Sequence, residues 1–222
     1  MSNPRLALFD VDETLIQVKS MFSFLDLVLA RQGWSEKDRH WAVNRFQRLA
    51  SEGASREFVN ETYYRGFAGQ SRTWMVDQGR EWFNEQFSNG TLFHKPVLRE
   101  LFRLKSNNCV IALVSGSFDA CLTPIAEYVG ARYIFGTVPS ISGDTYTGEI
   151  ERPMIGIAKA EAAQDLIQYL KLDTRCVCAY GDHISDAPLL RIAGEGVVVG
   201  NSPEMLKLAA YEGWRHLPVV LG

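Results

Sequence analysis

Leu6-Ala7-Leu8-Phe9-Asp10-Val11-Asp12-Glu13-Thr14-Leu15 decides how the rest of this chain is read. The run Leu6–Phe9 is short and apolar, as expected of a parallel strand buried on both faces. It ends in two carboxylates one residue apart. Ligands of open α/β sheets bind just beyond the carboxyl ends of the strands, which is where Asp10 and Asp12 fall. Like charges that close resist joint ionisation unless a cation or a proton intervenes. The pair therefore suits a nucleophile held ionised by a metal and a neighbour that carries a proton. Asp-x-Asp alone also occurs in solvated loops; the apolar strand before it and Thr14 after it give this pair its weight.

Working outward, the chain has 222 residues, room for one large domain or for a core with a small second one. An apolar fraction of 46% is ordinary for a soluble globular protein. A net charge of −3 gives no electrostatic case for nucleic acid or an anionic membrane. No apolar run approaches the roughly 20 residues that a membrane span needs. Met1-Ser2-Asn3-Pro4-Arg5 has neither a long apolar stretch nor a small-residue cleavage site, so a cytoplasmic location is expected. The four cysteines, Cys109, Cys121, Cys176 and Cys178, form no Cys-x-x-Cys pair and are expected to be reduced and mostly buried. The four histidines, His40, His94, His183 and His216, show no zinc spacing.

Residues 18–90 read as helices only. Ser35, Ser55 and Ser71 are placed as N-caps, and Gly33, Gly53 and Gly69 punctuate the ends. The block is dense in aromatic residues, most of which are expected to join helix to helix. A helical subdomain over 17–90 is therefore predicted, inserted into a core made of 1–16 and 91–222. Strand and helix then alternate: strands at 109–114, 132–135, 175–180 and 196–199, and helices at 96–106, 118–129, 157–170, 185–192 and 203–209. A hairpin or small flap is expected at 137–152. Such alternation predicts an α/β fold, a Rossmann-like three-layer core on a parallel sheet with right-handed crossovers.

Three further motifs fall at strand ends or helix starts. Val114-Ser115-Gly116-Ser117 offers a small hydroxyl and free backbone N–H groups, the makings of an anion cradle, although Ser-Gly is common in plain turns. Lys159 lies in the first turns of the 157–170 helix, where a lone Lys is ordinarily a solvated surface group. Tyr180-Gly181-Asp182-His183-Ile184-Ser185-Asp186 carries two carboxylates four apart around a turn, which suits metal binding plus a supporting partner.

Taken in order, the four motifs resemble the haloacid-dehalogenase-like hydrolase superfamily, from Leu6 to about Asn201. The helical insert after the first motif resembles the subgroup that includes phosphoserine phosphatase. The resemblance implies a phosphatase acting on a small phosphorylated metabolite. It implies that Asp10 is the nucleophile that becomes an aspartyl phosphate, and Asp12 the general acid and base. Ser115, the Gly116 backbone and Thr14 are matched to phosphate binding, and Lys159 to neutralising phosphate and nucleophile. Mg²⁺ is implied on Asp10, Asp182 and the Asp12 main-chain oxygen, with Asp186 orienting Lys159 or a metal-bound water. Asn201 falls where relatives often place an Asn near the phosphate.

That chemistry is physically coherent. A phosphomonoester dianion repels a carboxylate nucleophile, and cations with backbone N–H groups must offset the repulsion. Phosphoserine phosphatases carry a Glu nine residues after the nucleophile to read the substrate ammonium; here Lys19 stands at that position, which is expected to favour a second anionic group. His183 stands where many relatives have a small residue. Two rivals use the same scaffold: a phosphomutase or phosphotransferase that excludes water, and a non-catalytic binding protein.

Overall fold

The computed structural model describes residues 5–219. The first four residues, on which the expectation of a cytoplasmic location rests, lie outside them. Among the described residues no helix is long and apolar enough to cross a membrane.

Strand β1 (Leu6–Phe9) is followed by four helices, α1 (Ser20–Arg31), α2 (Glu36–Ser51), α3 (Arg56–Arg65) and α4 (Arg72–Ser88). Ser35, Ser55 and Ser71 cap α2, α3 and α4 by accepting from the amides of Asp38, Phe58 and Trp74 at 3.3, 3.2 and 3.2 Å. Each bond satisfies a donor that the start of a helix leaves open. Next come α5 (Lys95–Ser106), β2 (Val110–Val114), α6 (Asp119–Val129) and β3 (Tyr133–Phe135). An antiparallel hairpin, β4 (Val138–Ser142) and β5 (Thr145–Arg152), precedes α7 (Ile157–Tyr169) and β6 (Val177–Gly181). The chain ends with α8 (Ala187–Ile192), β7 (Glu195–Val199), α9 (Pro203–Glu212) and β8 (Arg215–Leu217).

Several element ends shift by one to three residues, as with α9, which runs to Glu212 rather than 209, and two differences have a clear physical reason. The strand predicted at 175–180 begins at Val177, because Asp173 accepts from the Arg175 amide at 2.8 Å and holds Thr174–Cys176 in one tight turn. The three-residue edge strand β8 was not anticipated; it is too short to carry a hydrophobic period.

Six strands form one parallel sheet in the order β3-β2-β1-β6-β7-β8. Side chains alternate across it. Ala7, Phe9, Ile111 and Leu113 face one way, against Val97 and Leu101 of α5 and Leu122 and Ile125 of α6. Leu6, Leu8, Ala112 and Val114 face the other, against Ala163 and Leu166 of α7, Leu190 of α8 and Met205 of α9. The result is a three-layer, Rossmann-like α/β architecture. All four β1 residues are fully buried, as a central strand covered on both faces requires.

Helices α1–α4 join this core on the α6 side. Phe24 of α1 stacks edge-on against Phe118 at 5.6 Å, and Trp82 of α4 is fully buried with its indole N–H donating to Ser23 at 2.9 Å. Gly79 lets α4 lie directly on α6, since a Cβ there would sit 1.9 Å from the Ala120 carbonyl oxygen. The tip of the β4–β5 hairpin docks on the start of α4, where Asp144 accepts from the Thr73 amide at 3.0 Å.

Candidate active site

β2, β1 and β6 are neighbours in the middle of the sheet, so their carboxyl ends bring Ser115, Asp10 and Asp182 to one edge. The chain leaves β1 toward β2 on one side and later adds β6 on the other. That reversal of strand order opens a crevice at the sheet edge.

Beyond Asp10 the backbone makes a tight turn, with the Leu15 and Ile16 amides both donating to the Val11 carbonyl at 2.9 and 3.0 Å. Glu13 takes a φ of +60°, a left-handed conformation that costs a side-chain-bearing residue some strain. The turn buries Thr14, whose hydroxyl donates to Asp182 Oδ1 at 2.7 Å. Thr14 was expected against the phosphate; its side chain instead braces Asp182, because it is enclosed beneath the loop.

Lys159, near the start of α7, is buried, and its ammonium sits 2.7 Å from Asp10 Oδ1 and 2.7 Å from Asp186 Oδ1. Gly181 makes this possible, since a Cβ there would lie 2.6 Å from the Asp186 Cβ. His183 is a turn residue: its ring nitrogen accepts from the Ser185 amide at 3.1 Å while its own amide donates to Asp186 at 3.2 Å.

The electrostatics follow from burial. Burial works against the Lys159 ammonium, but the charges of Asp10 and Asp186 outweigh it and hold its pKa above the ordinary range. Asp10 is pushed well up by burial and by Asp186, only partly offset by Lys159. Asp182 is raised to about 6 by burial and by the nearby Asp186 charge, against the Thr14 hydrogen bond. Asp12 is also raised to about 6 by burial, with Ser20 opposing the shift through its hydroxyl and its amide. Asp12 Oδ1 is buried without a hydrogen-bond partner. The Ser20 hydroxyl also meets the Ser117 hydroxyl at 2.8 Å, and the Ser117 amide donates to Ser115 Oγ at 3.2 Å. Ser20 thereby links the second carboxylate to the loop after β2.

A cavity of about 360 Å³ opens over these groups. Asp10, Asp12, Asp182, Lys159, Ser115 and Gly116 line its floor. Met21, Phe22, Phe46, Val59 and Asn60 line its roof, from α1, α2 and α3. The Gly116 carbonyl is held away from the floor by Asn60 at 3.0 Å and Thr137 at 2.8 Å. Lys19 lines the rim and pairs with Glu13 at 3.3 Å. Asn201 is not brought here. It is exposed, and its side chain donates to the Val219 carbonyl at 3.2 Å, because the turn at Gly200 carries it toward the end of the chain. Ser20, Asn60, Thr137 and Arg56 were missed by sequence reasoning; small polar residues and one Arg in helical or loop segments carry no spacing signal.

A family profile described as haloacid dehalogenase-like hydrolase matches residues 7–191. The chain belongs to this family. Among curated relatives of this hydrolase, phosphoserine phosphatase SerB1 of Mycobacterium tuberculosis is 26% identical over 213 residues, covering 94% of the chain and 68% of the relative. A histidinol-phosphatase of Neisseria meningitidis is 24% identical over 237 residues, covering 94% and 96%. In fold, the hydrolase is similar to a protein of unknown function from Bordetella pertussis, with a TM-score of 0.85, 22% identity and coverage of 97% and 99%. It is similar also to a phosphoserine phosphatase solved as a phospho-aspartyl intermediate analogue, with a TM-score of 0.67, 20% identity and coverage of 93% and 91%.

Proposed function

We propose that this hydrolase is a Mg²⁺-dependent phosphatase that cleaves a small phosphomonoester through a phosphorylated Asp10. Helices α1–α4 act as its cap, within the 17–90 segment. The observation that carries the reading is the unequal state of two neighbouring carboxylates on the cavity floor, Asp10 buried and Asp12 half-buried. Asp10 is engaged by Lys159 at 2.7 Å, while Asp12 Oδ1 has no partner. One is held in place for attack; the other lines the cavity with a carboxyl oxygen that no protein group engages. Relatives named for phosphatase activity support the reaction class.

The donor set fits a hard divalent cation. Asp10, Asp182 and Asp186 each offer a carboxylate oxygen, all within 4.8 Å of one another. Three carboxylates against one ammonium, Lys159, leave an uncompensated formal charge of −2. Asp10, Asp182 and the Asp12 main-chain oxygen would hold Mg²⁺, with oxygen ligands of the kind that ion prefers. Bound there, the cation would neutralise charge on the phosphoryl oxygens.

The residues divide the reaction as follows. A carboxylate oxygen of Asp10 attacks phosphorus, and the bond from phosphorus to the alcohol oxygen breaks. Asp12 gives its proton to that oxygen, so the alcohol leaves neutral. Asp12, now a carboxylate, takes a proton from water as the water oxygen attacks phosphorus. The bond to Asp10 breaks, and inorganic phosphate leaves. Lys159 holds Asp10 in place, and Ser115 with the backbone after it cradles the phosphoryl group. The test is a phosphate-release assay with Mg²⁺ and a trapped adduct. Wild type should yield a hydroxylamine-sensitive phosphoryl adduct that Asp10→Asn lacks. An adduct that persists in Asp10→Asn overturns the assignment.

A further inference from the structure

The roof of the cavity differs in character from its floor. Phe22 and Phe46 stack at 5.8 Å with their planes 19° apart, and Met21, Val59 and Ala54 extend the apolar wall. Two cations reach the same end from separate elements. Lys19 precedes α1 and lies 5.9 Å from the Phe22 ring. Arg56 is the first residue of α3, and its guanidinium donates to the neutral hydroxyl of Ser185 at 3.0 Å. Among the described residues lining the cavity, Glu13 is the one carboxylate besides Asp10, Asp12 and Asp182, and it is paired with Lys19. Arg56 forms no ion pair among the described residues. With Lys19 and Glu13 cancelling, the net charge at this end is the positive charge of Arg56.

We infer that the alcohol part of the substrate is an apolar group, about one ring in size, that carries a second anionic substituent and no ammonium. The inference rests on the phosphatase reading above and names its substrate class. With the phosphoryl group on Asp10, the rest of the substrate lies between the Phe22–Phe46 wall and the two cations. An apolar body gains by displacing water from that wall. A carboxylate at its far end meets Arg56 directly and draws Lys19 from its exposed partner Glu13. An ammonium there would meet the like charge of Arg56, which is exposed as Lys19 is, so the discrimination should weaken as salt is raised. A cavity of about 360 Å³ is at the small end for ligand pockets, which suits an alcohol of about one ring.

The experiment compares four alkyl phosphates in the presence of Mg²⁺: 4-carboxybenzyl, benzyl, 4-(aminomethyl)benzyl and 2-hydroxyethyl phosphate. The three benzyl compounds share one type of leaving alcohol, so their kcat/KM values report recognition rather than chemistry. The carboxylate compound should exceed the ammonium compound by about tenfold or more, with benzyl phosphate between them. Hydroxyethyl phosphate should show a higher KM than benzyl phosphate. In Arg56→Gln and in Lys19→Glu the carboxylate-to-ammonium ratio should shrink. Equal kcat/KM for the three benzyl compounds, a preference for the ammonium compound, or an unchanged ratio in both variants overturns the anion subsite. A KM for hydroxyethyl phosphate no higher than that for benzyl phosphate overturns the apolar wall. Release of phosphate from none of the four while p-nitrophenyl phosphate is still hydrolysed overturns this inference alone; no release from p-nitrophenyl phosphate either overturns the phosphatase reading, and this inference falls with it.

Discussion

Lys159 and Asp10 are 149 positions apart in sequence, yet the Lys159 ammonium lies 2.7 Å from Asp10 Oδ1 with both side chains almost wholly enclosed. A pair this buried is strongly context-bound. Its desolvation is costly, and it persists because Asp186 Oδ1 accepts a second hydrogen bond from the ammonium at 2.7 Å. The arrangement fixes which face of the Asp10 carboxylate remains available to a ligand.

Removing the ammonium should therefore cost more than activity. Lys159→Ala leaves Asp10 and Asp186 facing one another in a buried site. Stability in chelator is expected to fall by about 3 to 5 kcal/mol, less whatever protonation of Asp10 recovers. Urea denaturation at neutral pH measures this. Adding Asp10→Asn to Lys159→Ala should restore part of the loss, since it removes one of the two repelling charges. A double variant no more stable than Lys159→Ala would show that repulsion is not the cause.

Cation binding should be linked to pH through Asp182. Its carboxyl is raised from 3.8 to about 6. A raised carboxyl contributes stability that is full below the ordinary value and is lost as pH rises through the folded value. Cation-free protein should therefore lose this contribution between about pH 4 and pH 6. A cation binds the ionised form, so its stabilising effect should grow over the same interval. The rise in Tm caused by saturating Mg²⁺ is expected to be larger at pH 7.5 than at pH 5. Equal rises at the two pH values would contradict the linkage.

Ser20 should matter for turnover rather than affinity. Its hydroxyl lies between Asp12 and the Ser117 hydroxyl, 2.8 Å from the latter. Ser20→Ala leaves the Asp12 carboxyl less well oriented, and kcat is expected to drop by about 10- to 100-fold, within the range carried by general acid–base groups. KM should change little, and Ser20→Thr should recover most of the rate. Steady-state kinetics on the three proteins decides it; a normal kcat in Ser20→Ala removes Ser20 from any positioning role.

The seam between α4 and α6 offers a stability test away from the chemistry. An added methyl at Gly79 would meet the Ala120 carbonyl oxygen at 1.9 Å, and backbone cannot yield as a side chain can. Gly79→Ala should destabilise by about 1 to 3 kcal/mol despite the better helix propensity of Ala. Thermal unfolding with Tm unchanged or raised would show that α4 can shift without cost.

Local patterns in the chain were enough for the architecture. The apolar run ending in Asp10, the Ser caps at 35, 55 and 71 and the strand–helix alternation each act over a few residues, so they are visible in one dimension. Thr174–Cys176 and β8 were not visible, because a side chain bonding to a nearby amide and a three-residue edge strand leave no period. The ordered motifs likewise marked Asp10, Asp12, Ser115, Lys159 and Asp182, all of which line the one cavity. What the sequence alone determined is thus the set of strand ends and the charges they carry. The tertiary structure alone decided which atoms meet. It turned Thr14 onto Asp182 and Asn201 onto the Val219 carbonyl, and it brought Ser20 to Asp12. It also set Arg56, at the start of α3, and Lys19, just before α1, over the same cavity. Those outcomes depend on side-chain direction and on close backbone approach across long sequence separations, which no local propensity encodes.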